Sequence, residues 1–219
     1  MSNKKQKKQG GRFFRAIYVV LSGAVGAIFR IRVINAENEP VDGGFVVCAN
    51  HTSALDPILV CYAFRRHQIC FMAKKELFGI PLLSGLIKAL GAFPVDRSGS
   101  DVGAIKNAVR LVSDGQCLGI FPQGHRYPHV DPRGTTTKNG AALIATRAEA
   151  DVVPVYIWSR GNKPRAFRRT YVIIGERIPF ESLGYDREAA GEYARITDSV
   201  FDRVCSLGES FDPKEGSGK

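Results

Sequence analysis

The stretch NHTSALDP, residues 50 to 57, sets His51 five residues before Asp56, directly after the apolar run GFVVCA. A histidine and a carboxylate are the minimal parts of a general base. The imidazole takes the proton, and the carboxylate fixes its tautomer. On a regular helix this spacing puts the two residues about 140° apart around the axis, on different faces. They meet only if His51 lies in the turn before a helix and Asp56 opens that helix. The Asp-Pro pair marks such a start, a capping carboxylate followed by the proline favoured in the first turn. The same local pattern fits a plainer role, with Asp56 as a cap and His51 as a polar loop residue.

Two other apolar runs end in similar turns. GIFPQGHR, residues 119 to 126, leads to Arg126, and GAFPVDR, residues 91 to 97, leads to Arg97. Ligands of α/β sheets collect beyond the carboxyl ends of the strands. Arg97 and Arg126 converging there would form an anion site, because guanidinium forks suit phosphate. The chain has no Gly-x-x-x-x-Gly-Lys loop and no Gly-x-Gly-x-x-Gly fingerprint, so a nucleotide is not the favoured anion. His125, His129 and Asp131 share the polar loop GHRYPHVDPRGTTTKNG. They lack a third ligand at helical spacing and read as solvated loop residues rather than a metal site.

The elements that must position these residues alternate. Strand-like runs are GFVVCAN, QICFMA, AFPVD, CLGIF, VVPVYIW and TYVIIGE, rich in β-branched and aromatic residues. Helical patterns lie between and after them: DPILVCYAFRR, SDVGAIKNAVRLVSDG, NGAALIATRAEA and DREAAGEYARITDSVFDRVCSLG. In the second of these, Val102, Ile105, Val109 and Val112 share one face and Gly115 stops the helix. The pattern predicts an α/β fold, a central mostly parallel or mixed sheet with helices on both faces, plus an N-terminal membrane-associated helix.

The chain of 219 residues can bury a substantial core. Its five cysteines are odd in number, scattered and without a C-x-x-C pair, which fits reduced buried thiols better than a zinc site or disulfides. The net charge is +10, but residues 1–36 hold eight Lys or Arg and no acid. The remainder carries 23 basic against 21 acidic residues, so the excess is mainly N-terminal. That argues against a nucleic-acid-binding body. A second acid-free stretch carries Arg160, Lys163, Arg165, Arg168 and Arg169, as a solvated loop between strands would.

Residues 1–12 are basic, polar and expected to be disordered, with Lys4, Lys5, Lys7 and Lys8 facing lipid headgroups. Residues 13–30 begin with Phe13 and Phe14 and are expected to form an interfacial helix. Ala16 to Phe29 is uncharged over 14 residues. As a helix this is about 21 Å, against roughly 30 Å of hydrocarbon, too short to span comfortably. Arg30 and Arg32 follow closely and no small-x-small cleavage site is clear, so the interfacial reading is preferred to a signal peptide or a core helix. The main domain is expected over residues 31–210, with a polar tail at 211–219.

Taken in order, the blocks resemble a known family. NHTSALDP resembles the N-H-x-x-x-x-D motif of glycerolipid acyltransferases. GAFPVDR resembles their second block, FPQGHR their F-P-E-G-T-R block, and VVPVYI their V-P-V block. The intervening AKKELFGIPLLSGLIKALG fits as well, and the likeness covers roughly residues 44 to 160. Within that family the chain is most similar to the bacterial 1-acylglycerol-3-phosphate acyltransferases.

The resemblance implies that His51 is the base, oriented by Asp56, and that it deprotonates the free hydroxyl of lysophosphatidate. That oxygen then attacks an acyl thioester directly. Arg97 and Arg126 would hold the acceptor phosphate, with Lys74 and Gln123 also lining the site. Gly124 would let the backbone approach the ligand, and Pro154 would shape the acyl side. No metal or bound cofactor is implied, since acyl-CoA or acyl carrier protein is a co-substrate. The partners implied are a membrane lipid substrate and an anionic membrane surface, at the cytoplasmic face, with monotopic or peripheral attachment.

The chain departs from the family pattern in one block, where Gln123 replaces Glu and His125 replaces Thr. An active variant acting on this or another lysolipid is preferred to a catalytically silent membrane-binding homologue, because His51 and Asp56 are both present.

Overall fold

The computed structural model describes residue 23 and residues 25–81, 83–89, 91–96 and 102–214. Lys4, Lys5, Lys7, Lys8, Phe13, Phe14 and Arg97 lie outside the described residues, as does most of the expected interfacial helix. Residues 25–28 are helical.

Seven strands form the sheet: β1 (Ile31–Ile34), β2 (Val46–Ala49), β3 (Ile69–Lys74), β4 (Phe93–Val95), β5 (Cys117–Ile120), β6 (Val152–Ser159) and β7 (Thr170–Ile174). Their order across it is β1-β7-β6-β2-β5-β3-β4. From β6 to β4 every pairing is parallel, whereas β7 runs antiparallel to β6 and β1 runs parallel to β7. Five strands therefore share one direction, and β1 and β7 oppose them. The carboxyl ends of β2, β3, β4, β5 and β6 lie along one edge of the sheet. Because β1 is reversed, its first residue, paired with Thr170, lies at that same edge.

Besides residues 25–28, five helices accompany the sheet among the described residues: α1 (Asp56–Ala63), α2 (Leu83–Ala89), α3 (Val102–Ser113), α4 (Gly140–Ala148) and α5 (Glu192–Glu209). Alternate side chains of each strand serve opposite faces, as a pleat requires. Val46, Cys48, Val152 and Tyr156 pack with α3, α4 and α5. Phe45, Val47, Val153, Val155 and Ile157 pack with Leu59, Val60 and Ala63 of α1 and with Val25 and Phe29. Both faces are thus covered, as the apolar, barely alternating strands demand.

Two expectations need correction. The buried stripe of α3 is Ala104, Ala108 and Val112, while Val102 is exposed and Ile105 and Val109 are only half-buried. The small alanines let α3 approach the equally small Ala141 and Ala145 of α4, so close packing overrides the bulkier valine face. The strand β1 and helix α2 were also not among the expected elements. β1 is a four-residue edge strand with exposed Arg32, too short and too polar for a strong signal.

A buried carboxylate sets the end of α1. Glu39 accepts hydrogen bonds from the backbone N–H groups of Arg65, Arg66 and His67. With the carboxyl end of α1 fixed this way, the position of its opposite end, at Asp56, follows.

Candidate active site

His51 and Asp56 meet. The Nδ1 of His51 lies 2.9 Å from Oδ2 of Asp56, and Asp56 is fully buried. The same oxygen accepts from the N–H of Thr52 at 2.6 Å and of Ser53 at 2.8 Å. Leu55 occupies the cap position of α1 and makes no side-chain cap bond; Asp56 is the first residue inside the helix. Its carboxylate therefore reaches backwards, into the turn that carries His51, instead of capping its own helix. Proline follows at a position where a missing N–H costs nothing. Asp56 and Nδ1 share a bond in which the carboxylate can only accept, so Nδ1 carries the hydrogen. Nε2, the unprotonated nitrogen, has no partner among the described residues.

An aromatic stack and a backbone bond also hold His51 in place. The imidazole stacks on Phe121 with ring centroids 4.0 Å apart and planes 14° from parallel. Phe121 in turn stacks on Phe71 at 5.5 Å. Gly119 makes room for this column, since a Cβ there would come within 2.2 Å of the Phe71 ring. The backbone of His51 is pinned as well, its carbonyl accepting from Tyr127 N–H at 2.9 Å.

Asn50 carries a role that the sequence did not reveal. It is 1% exposed, and its side chain pairs with both backbone groups of Ile157 on β6, at 2.7 and 3.1 Å. It extends the β2–β6 ladder by one side chain beyond Ala49 and fixes where the turn bearing His51 leaves the sheet. An apolar run ending in asparagine was the available signal, but the partner is 107 residues away.

Gln123 sits deeper than an acceptor-lining residue. It is 1% exposed. Its Oε1 accepts from His51 N–H at 2.6 Å and its Nε2 donates to Thr135 Oγ1 at 2.8 Å. Thr135 Oγ1 passes its own hydrogen to Pro132 O at 2.6 Å. The chain of donors runs one way, and an amide, with a donor at one end and an acceptor at the other, fits it. A carboxylate would keep the bond from His51 but could not donate to Thr135. Gln123→Glu is therefore expected to lower the melting temperature, by the equivalent of ~1–3 kcal/mol for a buried group left unsatisfied, with kcat little changed because the bond holding His51 persists. Thermal melts and steady-state kinetics check this. A gain in kcat would show that the site needs a charge there.

The other expected site residues divide. Arg126 is exposed on the loop after β5, next to the Tyr127 that bonds His51. Lys74 is the exposed last residue of β3, at the same sheet edge. Gly124 has φ 72°, and the stem of Lys138 lies against it, so that a Cβ would come within 2.8 Å of Lys138 Cδ. Lys138 is thus an exposed cation next to the Arg126 turn that sequence reasoning missed. Pro154 does not share this region. It is buried mid-strand opposite Cys48 and packs near Gly175 and Leu207 of α5, on the face away from α1. Strand alternation sends it there, since Val153 and Val155 take the α1 face.

His129 and Asp131 have separate tasks. His129 Nδ1 donates to Gly161 O at 2.9 Å, and Asp131 accepts from Arg133 N–H. No group of three His, Cys, Asp or Glu suited to a metal occurs among the described residues. All five cysteines are buried and none forms a disulfide. Burial pushes the Cys48 and Cys61 thiols up to about 12 and those of Cys70, Cys117 and Cys205 up to about 11. None is a thiolate at neutral pH, so none is a nucleophile for a covalent intermediate. The arrangement can take a proton at Nε2 and hold the resulting positive charge against a buried carboxylate.

Comparison with known proteins agrees with this chemistry. Residues 30–158 match the family model described as Acyltransferase. A Bacillus subtilis (strain 168) protein named 1-acyl-sn-glycerol-3-phosphate acyltransferase is 32% identical over 200 residues, covering 90% of this chain and 96% of that protein. A Streptococcus pneumoniae protein of the same name is 31% identical over 160 residues, 70% of this chain and 58% of the other. The crystal structure of the 1-acyl-sn-glycerophosphate acyltransferase PlsC from Thermotoga maritima superposes with a TM-score of 0.66. At 23% identity over 93% of this chain and 85% of that one, it shares the fold.

Proposed function

Because the chain belongs to the acyltransferase family, we propose that this acyltransferase moves a fatty acyl group from a thioester to the free hydroxyl of 1-acylglycerol-3-phosphate, giving phosphatidate. The donor is acyl-CoA or acyl carrier protein, and no bound cofactor or metal takes part. His51 Nε2 removes the hydroxyl proton as the oxygen attacks the thioester carbonyl. The tetrahedral intermediate collapses, the C–S bond breaks, and the imidazolium returns the proton to the departing sulfur. Asp56 holds the tautomer and stabilises the imidazolium. The cations at the edge, Arg126 and Lys74 together with Arg97 from the sequence, bind the acceptor phosphate.

One observation carries this reading: the 2.9 Å contact between His51 Nδ1 and a fully buried Asp56 leaves Nε2 unpartnered. The relatives named for this reaction support the acceptor.

The enzyme is further proposed to work peripherally or monotopically at the cytoplasmic face of the membrane, on a membrane lipid and beside anionic lipids, without nucleic acid. No helix among the described residues is long and apolar enough to cross a membrane. The reversed β1 brings the N-terminal segment in at the edge that carries His51. A lipid-bound chain would therefore present its base towards the acceptor.

The test is an assay of purified protein with lysophosphatidate and each donor in turn, following phosphatidate formed and thiol released. Phosphatidate formation with either donor supports the reading. Faster acylation of a different lysolipid would replace the acceptor, and no thiol release with any acceptor would overturn it.

A further inference from the structure

The acid-free stretch between β6 and β7 is more than a solvated turn. Arg160, Lys163, Arg165 and Arg168 are exposed, and none makes an ion pair among the described residues. With Arg169 and Ser159 they line a pocket of about 310 Å³. Ser159 is 5% exposed and its Oγ has no hydrogen-bond partner. No acid occurs anywhere from residue 152 to 175. Clustered like charges repel, so this arrangement favours an anion between them.

Apolar side chains stand beside these cations. Phe167 is 77% exposed and held at φ 60°, a left-handed conformation that a bulky residue rarely adopts. Its N–H donates to Ile28 O at 2.7 Å, at the end of the uncharged N-terminal run. Asn162 Nδ2 donates to Val130 O at 3.1 Å. Ile28 and Val130 are each 40% exposed. Three of the six exposed large apolar residues among the described ones are therefore this hairpin's Phe167 and two residues hydrogen-bonded to it. A pocket for a soluble phosphate has no use for an exposed phenylalanine. Aromatic tips among cations do have a use where apolar and ionic layers meet, at a bilayer surface.

We propose that the β6–β7 hairpin is a second membrane contact, in which phosphates of anionic lipid headgroups seat among Arg160, Lys163, Arg165 and Arg168 while Phe167, with Ile28 and Val130, enters the interface. It lies at the same sheet edge as His51. It is also tied to the loop after β5, because His129 N–H donates to Asn162 O and His129 Nδ1 to Gly161 O. Through Ile28 it adjoins the N-terminal segment and widens the membrane-facing edge that segment begins. The inference rests on the reading that the enzyme works at a bilayer, and not on the identity of the acceptor.

The test uses the full chain and vesicles of phosphatidylcholine with or without phosphatidylglycerol. In the triple variant K163E, R165E, R168E, binding to the anionic vesicles at low salt is expected to fall by about tenfold or more, with a shallower salt dependence. F167S is expected to weaken binding to anionic and neutral vesicles alike. Both should keep the wild-type kcat on detergent-dispersed substrate, which also shows that they fold; glutamine replacements serve if the glutamates prevent folding. Unchanged vesicle binding in the charge variants overturns the proposal. If instead the KM for acyl-CoA rises while vesicle binding is unchanged, the pocket holds the donor's phosphates. Loss of anionic-vesicle binding in a chain that fails to acylate lysophosphatidate would sustain this inference and sink the acceptor assignment alone.

Discussion

His51→Ala is expected to lower kcat by ~10²–10⁴, the usual contribution of a general base, with the fold retained. In the proposed mechanism Nε2 takes the proton, and no described side chain can stand in for it. The nearest aromatic neighbour, Phe121, is inert, and the buried thiols of Cys48 and Cys61, pushed up to about 12, are protonated. The structural loss is small by comparison. A loop imidazole gives up its stacking on Phe121, ~1 kcal/mol, while the backbone bonds to Gln123 and Tyr127 persist. Thiol release measured beside a thermal melt separates the two effects. Turnover near the wild-type rate would remove His51 from the reaction.

Asp56→Asn isolates the carboxylate from its structural work. An asparagine oxygen can still accept from Thr52 and Ser53, so the turn should survive. The neutral amide cannot stabilise an imidazolium. The oxygen that accepts from Thr52 and Ser53 is also the one facing Nδ1, so the tautomer is kept and the loss is that of the charge. The analogous change in a serine-protease triad, which also switches the tautomer, costs ~10⁴ in kcat, and a clear but smaller loss is expected here. Asp56→Ala should show the same rate loss together with a clear drop in melting temperature. Two buried N–H groups would then be left without a partner, at ~1–3 kcal/mol each. Asparagine that is as active as wild type would reduce Asp56 to a structural residue.

The meeting of His51 and Asp56 was legible because their types and spacing fit a single turn before a helix. The strand–helix alternation was legible for the same kind of reason, since buried parallel strands leave short apolar runs. What the sequence hid depends on partners far along the chain. Asn50 looks like a turn residue until Ile157 is beside it. Gln123 looks like an altered ligand contact until Thr135 and the backbone of His51 take up its two ends. Pro154 belongs to a recognisable block, yet pleating turns it to the α5 face, and a block match does not report which face a residue serves. The buried side of α3 was misread because size, and not hydrophobicity alone, decides which stripe approaches a neighbouring helix.

The bond between Asn50 and Ile157 also imposes an order in time. A ribosome delivers Asn50 long before Ile157, and at about 5–20 residues per second the 107 intervening residues take roughly 5–20 s. During that interval β2 lacks β6, and the turn bearing His51 lacks the anchor at Asn50. The basic, apolar leading segment has by then already emerged and can meet lipid. If the enzyme works at a bilayer as proposed, a nascent chain would meet lipid before β6 docks and completes the support of the turn bearing His51.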